Sequence, residues 1–115
     1  MRGLALFLGI FLLFGCAQNN PKTLGKAPQG PAIKISLAKA KGDSATVTLY
    51  GTMIQKCPVA GCWFNLRDET GVIKVDTKAA NFVVLDVPLQ TSVTVSGLIT
   101  TNGSERILAA TGLSF

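Results

Sequence analysis

Cys57-Pro58-Val59-Ala60-Gly61-Cys62-Trp63-Phe64-Asn65-Leu66-Arg67-Asp68-Glu69-Thr70-Gly71 reads as a cysteine-pinned loop, a strand and a tight turn in succession. From Trp63 to Asp68, apolar and polar residues alternate with the period of two that sends neighbouring side chains to opposite faces of a strand. Phe64 and Leu66 are expected to face a core, and Trp63, Asn65 and Arg67 to face away from it. Glu69-Thr70-Gly71 supplies a hairpin connection, with a glycine free to take positive φ. On the return strand, residues 72–77, Ile73 and Val75 point inward and Lys74 and Asp76 outward.

The same patterning continues on both sides. Residues 45–56 are rich in β-branched side chains (Thr46, Val47, Thr48, Thr52, Ile54), with Val47, Leu49 and Met53 on one face and Gly51 marking a bulge or bend. Residues 91–100 form another strand, with Val93, Val95 and Ile99 inward and a second bend at Gly97. Asn102-Gly103-Ser104 turns the chain into a last strand over residues 106–115. Residues 79–90 have no period, and Asp86 and Pro88 predict an irregular crossing with Phe82, Val84 and Leu85 tucked beneath the sheet. Ahead of all this, Ile33-Lys34-Ile35-Ser36-Leu37 alternates as a half-buried strand would, and Ala38-Lys39-Ala40-Lys41 suits a helical turn before Gly42-Asp43-Ser44. Five main strands, two of them bent at glycines, close most economically into an all-β Greek-key barrel of the OB type, expected over residues 32–115.

The N-terminus belongs to a different kind of segment. Arg2 precedes an apolar run over residues 4–14, broken only by Gly9. As a helix that run would rise only about 16 Å, too short for a bilayer and right for a secretory leader. Leu13-Phe14-Gly15-Cys16 resembles the bacterial lipoprotein signal. The resemblance implies a signal peptide over residues 1–15, removed to leave an acylated Cys16 held on the membrane by its lipid chains. Ala17, which is not an acidic retention residue, directs such a protein by analogy to the periplasmic side of the outer membrane. Residues 16–31, with Pro21, Gly25, Pro28, Gly30 and Pro31 and one large aliphatic (Leu24), are then expected to be an extended tether.

The chain has 115 residues, 11 basic and 6 acidic, with no histidine. Removing Arg2 with the leader leaves a net charge of +4, scattered without a basic run, so charge alone makes nucleic acid an unlikely partner. The missing histidine removes the commonest general base and zinc ligand, and no serine or carboxylate stands in a recognisable catalytic frame. A non-enzymatic domain without a cofactor is expected.

Val47-x-Leu49-x-Gly51, the Cys57…Gly61-Cys62-Trp63 element, Asp68…Gly71-Val72-Ile73-x-Val75 and Val93-x-Val95-x-Gly97 together resemble small secreted bacterial OB-fold proteins. Among these is a family of unknown function sharing a Cys…Gly-Cys-Trp element. The lead-in Ile35-Ser36-Leu37-Ala38-Lys39-Ala40 is similar to that of OB modules attached to extracellular nucleases. The resemblance implies a fold and a compartment. In an oxidising compartment Cys57 and Cys62 are expected to form a structural disulfide pinning the loop between the first two barrel strands. Two other uses remain open: a thiol-redox pair, and a Cu(I) site in which Met53 joins the two sulfurs.

OB folds present ligands to their second and third strands and the flanking loops. Trp63, Asn65, Arg67 and Lys74 would share that face: an aromatic, an amide and two cations suited to an anionic or saccharide ligand, a base, or an envelope protein. The competing expectation is that Trp63 covers the cysteine pair and Arg67 pairs with Asp76 across the hairpin.

Overall fold

The computed structural model describes residues 21–115; the expected leader, its expected cleavage site and Cys16 lie outside the described residues. The elements run β1 (Thr23–Gly25), α1 (Ile35–Lys39), β2 (Thr46–Lys56), β3 (Trp63–Asp68), β4 (Gly71–Asp76), β5 (Ser92–Asn102) and β6 (Glu105–Ser114). The sheet order is β1-β6-β4-β3-β2-β5, and a further β5–β6 pairing closes β2 to β6 into a five-stranded barrel. Every pairing is antiparallel except that of β4 with β6, where Lys74, Val75 and Asp76 run parallel to Ile107, Leu108 and Ala109. This is the Greek-key closure of an OB fold.

The inward positions expected from the alternation are inside. Phe64, Leu66, Val75, Leu49, Met53, Val95, Ile99, Leu108 and Leu113 are fully buried, with Ile73 and Val93 nearly so. Burying each such side chain is worth roughly 1.5–3 kcal/mol, so the apolar row of each strand holds the barrel shut. Gly51 marks the corner of β2. The strand pairs with β5 up to Thr52 and with β3 from Thr52 onward, and its register with β3 shifts between Met53 and Gln55. A Cβ at Gly51 would lie 2.4 Å from the Arg67 carbonyl oxygen, so the crossing tolerates no side chain. The second bend falls at its expected place, a register shift between Ser96 and Gly97.

Three expectations are corrected. Residues 33–37 do not form a strand: only Ile33 makes an isolated bridge, to Leu49, and Ile35 opens α1. Its buried residues, Ile35 and Ala38, are spaced i, i+3 as on one helix face, and Leu37, the last apolar residue of the alternation, is exposed. The expected tether is docked over its described part. Thr23, Leu24 and Gly25 pair with Ser114, Leu113 and Gly112, beyond the point where β4 leaves β6. Gln29 continues the attachment: its N–H donates to Ser96 Oγ at 3.2 Å and its carbonyl accepts from Thr48 Oγ1 at 2.5 Å. Finally, the 77–91 crossing buries Val84 and Val87 and half-buries Phe82, whereas Leu85 is exposed. Lys56 holds this crossing, donating to the carbonyls of Val84 (3.3 Å), Leu85 (2.9 Å) and Val87 (2.5 Å).

The α1 N-terminus is capped from a distance. Lys34, at the N-cap position, makes no side-chain cap bond. Instead the Ile35 N–H donates to Asp68 Oδ2 at 2.8 Å and the Ser36 N–H to Thr70 Oγ1 at 3.0 Å, both from the β3–β4 turn. These satisfy N–H groups that a helix leaves unpaired at its start. The other Asp68 oxygen accepts from the Thr70 N–H and hydroxyl and from the Gly71 N–H. Burial opposes ionisation of Asp68, but the Thr70 hydroxyl and the Ile35, Thr70 and Gly71 N–H groups outweigh it, and its carboxyl sits below the usual range. An ion pair between Lys34 and Glu69 flanks this junction; it raises the lysine pKa and lowers that of the glutamate.

Candidate functional site

The hairpin β3–β4 is in register from Trp63↔Asp76 through Asn65↔Lys74 and Arg67↔Val72 to Asp68↔Gly71. That register sets the outer face. Asn65 and Lys74 stand directly opposite one another, both half-buried. The Lys74 ammonium reaches diagonally to lie 5.1 Å from the Trp63 ring centroid, a cation–π contact. On the other side of β3, Asn65 lies opposite Gln55 of β2, and its Nδ2 donates to Gln55 Oε1 at 3.0 Å. Arg67 is exposed at the far end and, among the described residues, makes no ion pair or side-chain hydrogen bond. The structure therefore brings together Trp63, Asn65 and Lys74, adds Gln55, and leaves Arg67 as a free cation further along the same strand.

The expected Arg67–Asp76 pair does not form. A two-residue turn, Glu69-Thr70, puts Arg67 opposite Val72 and Asp76 opposite Trp63, at opposite ends of the hairpin. Asp76 is taken up locally, accepting from the Lys78 N–H at 2.8 Å and facing its ammonium at 3.8 Å. Gln55 could have been found from sequence only by knowing the β2–β3 register, which the shift after Met53 alters by one residue.

The sulfur residues occupy different environments. Cys57 and Cys62 are both half-buried free thiols in this structure. Met53 is fully buried in the core. Four residues of chain, about 13 Å if fully extended, separate it from Cys57. Among the described residues no cluster of three or more histidine, cysteine, aspartate or glutamate side chains is placed to hold a metal.

Two open hollows, of about 390 and 400 Å³, lie on another side of the barrel, flanking Lys26 beneath the N-terminal segment. Small residues line the first (Ala79, Ala80, Ala109, Ala110) and hydroxyl-bearing ones much of the second (Thr46, Ser96, Thr111). Neither contains an aromatic platform. The β3–β4 face concentrates the groups that stack and carry charge.

No curated protein matches the sequence. Among solved structures, the hypothetical protein ygiW from E. coli is similar, with 22% identity and a TM-score of 0.55 over 72% of this chain and 87% of that one, a likeness of fold. A family model described as bacterial OB fold (BOF) protein matches residues 15–110, spanning α1, all but the end of β6 and the docked N-terminal segment. The chain belongs to the bacterial OB fold (BOF) protein family.

Proposed function

We propose that this chain is a non-enzymatic binding domain, held to the periplasmic side of the bacterial outer membrane by an acylated Cys16, that takes an anionic saccharide on the outer face of β3 and β4. The observation that carries the reading is the Trp63–Lys74 contact beside the Asn65–Gln55 amide pair and the free Arg67 guanidinium. Amides bonded to each other retain lone pairs and N–H groups for sugar hydroxyls. The indole offers a flat apolar edge, and Lys74 and Arg67 supply charge to a carboxylate or sulfate.

Titration calorimetry with a heparin hexasaccharide is the direct test. Binding should weaken about tenfold in Trp63→Ala and in Arg67→Ala, which corresponds to about 1.4 kcal/mol each. Equal or tighter binding of an oligothymidine, with a steep salt dependence, would replace the saccharide reading by a nucleic-acid one. Unchanged binding in the Trp63→Ala, Arg67→Ala double variant would remove this face from consideration. The anchor is tested separately, by incorporation of labelled palmitate in cells and its loss in Cys16→Ser.

A further inference from the structure

The two ends of the barrel differ in what they show to solvent. At one end lie α1, the β3–β4 turn and the β5–β6 turn, and they carry ion pairs: Lys34 with Glu69, and Asp43 with Arg106 at 2.6 Å. The opposite end is built from the β2–β3 loop, residues 57–62, and the 77–91 crossing. Backbone bonds tie these two together. The Val84 N–H donates to the Gly61 carbonyl at 2.8 Å, and the Thr77 N–H to the Cys62 carbonyl at 2.9 Å. A Cβ at Gly61 would meet the Leu85 side chain at 2.7 Å, so Leu85 lies against the loop. The outer surface of this end is apolar. Val59 is 85% exposed, and Val83, Leu85 and Leu89 are 49%, 46% and 48% exposed. They are four of the eight large hydrophobics left exposed among the described residues, gathered on two touching segments. One exposed apolar side chain is ordinary, whereas a group of them marks a surface that something apolar covers.

The way the chain enters the barrel points to what covers it. Gly25 of β1 faces Phe82 of the crossing, where a Cβ would come within 3.0 Å of the ring. From Gly25, β1 runs back toward Lys22, whose backbone bonds to that of Phe115. There the end of β6 lies beside the start of β5, with Ser114 opposite Thr94. β5 in turn begins where the crossing ends: the Gln90 N–H donates to the Met53 carbonyl at 2.7 Å, and the Met53 N–H to the Thr91 carbonyl at 3.0 Å. The N-terminal segment thus joins the barrel beside the apolar segments, with Lys22 six residues after Cys16.

We propose that this end of the barrel seats on a lipid surface, with Val59, Val83, Leu85 and Leu89 entering its polar–apolar boundary. The proposal rests on the acylated Cys16 of the reading above, and adds which end of the domain meets the lipid and through which side chains. Apolar side chains gain by leaving water for that boundary. A domain already tied there by its acyl chains docks as an intramolecular event, so a small apolar group suffices. Charge contributes little: Lys22, Lys56 and Lys78 stand against Asp76 and Asp86, three cations to two anions, and Lys56 is engaged with the crossing carbonyls. The contact is therefore insensitive to salt. So seated, the barrel holds α1 away from the lipid and leaves the β3–β4 wall open from the side.

Environment-sensitive fluorescence tests this on the acylated protein reconstituted in phosphatidylcholine vesicles, in a Cys57→Ser, Cys62→Ser background. A nitrobenzoxadiazole label on Val59→Cys should emit to the blue of the same label on Leu37→Cys, at the far end on α1. Both positions are exposed, so neither label disturbs the core. The blue shift should persist at high salt and shrink when Leu85→Ser and Leu89→Ser are added. Equal emission from the two positions, in protein that carries its acyl chains, would overturn the seating and leave the anchor standing. Protein found by mass spectrometry to lack acyl chains would overturn the anchor and, with it, the seating. A shift that appears only with phosphatidylglycerol and vanishes at high salt would replace apolar seating by adsorption of charge. One that grows with the amount of protein per vesicle would assign the apolar end to a second copy of the chain instead.

Discussion

At the residue scale, Asp68 carries more of the architecture than its place in a turn suggests. One carboxylate joins α1 to the β3–β4 hairpin through bonds to Ile35, Thr70 and Gly71. Hydrogen bonds to a charged group contribute about 1.5–3 kcal/mol, so Asp68→Ala should lower urea-unfolding stability at pH 7 by about 2 kcal/mol. Because the folded-state pKa is depressed, the ionised Asp68 stabilises the fold fully above the unfolded-state value, near 3.9. The contribution is lost as pH falls through the lower folded value, so the gap between wild type and Asp68→Ala should shrink below about pH 4. Thr77 presents the opposite case. It is fully buried, and its hydroxyl has no hydrogen-bond partner. An unpartnered buried hydroxyl costs about 1–3 kcal/mol, so Thr77→Val should raise stability by about 1 kcal/mol in the same titration.

At the element scale, two crossings decide the shape. Lys56→Met would remove the ammonium shared by three crossing carbonyls, of which that of Val84 keeps the Val87 N–H at 3.1 Å, and should cost about 2 kcal/mol while speeding amide exchange over residues 84–87. Gly112 controls the N-terminal segment: a Cβ there would lie 1.5 Å from the Lys26 carbonyl oxygen. Gly112→Ala should therefore lift β1 from β6 and open residues 21–30 to limited proteolysis, while the barrel remains resistant. The strands of the hairpin were legible because each carries a strict alternation that only one burial pattern satisfies. Thr23–Gly25 was not: three residues hold no period, and their reason for being a strand lies in Gly112–Ser114, nearly ninety residues away. α1 failed similarly, since Ile33 to Leu37 alternates as a strand does, and the cap that decides for a helix comes from Asp68 and Thr70, more than thirty residues away.

For the whole molecule, closure makes the core cooperative. Phe64, fully buried on β3, sits within one apolar cluster fed by α1 and all five barrel strands, and Phe64→Ala should cost about 3–5 kcal/mol in a single two-state transition. The aromatic and cationic composition of the ligand face could be read from spacing alone. Its partnerships could not, because a two-residue turn and a one-residue register shift determine who meets whom.

Seating β1 on β6 also fixes how far the barrel stands from its proposed attachment. Lys22 and Phe115 exchange backbone hydrogen bonds, at 2.7 and 2.9 Å, so chain start and chain end leave the barrel side by side. Only six peptide steps separate Lys22 from Cys16, a reach of about 20 Å at full extension, where a leash running to Pro31 would have allowed about 50 Å. An acylated Cys16 would thus hold the domain close against the lipid headgroups, able to swivel but not to roam, and whatever it captures would be met at the membrane surface.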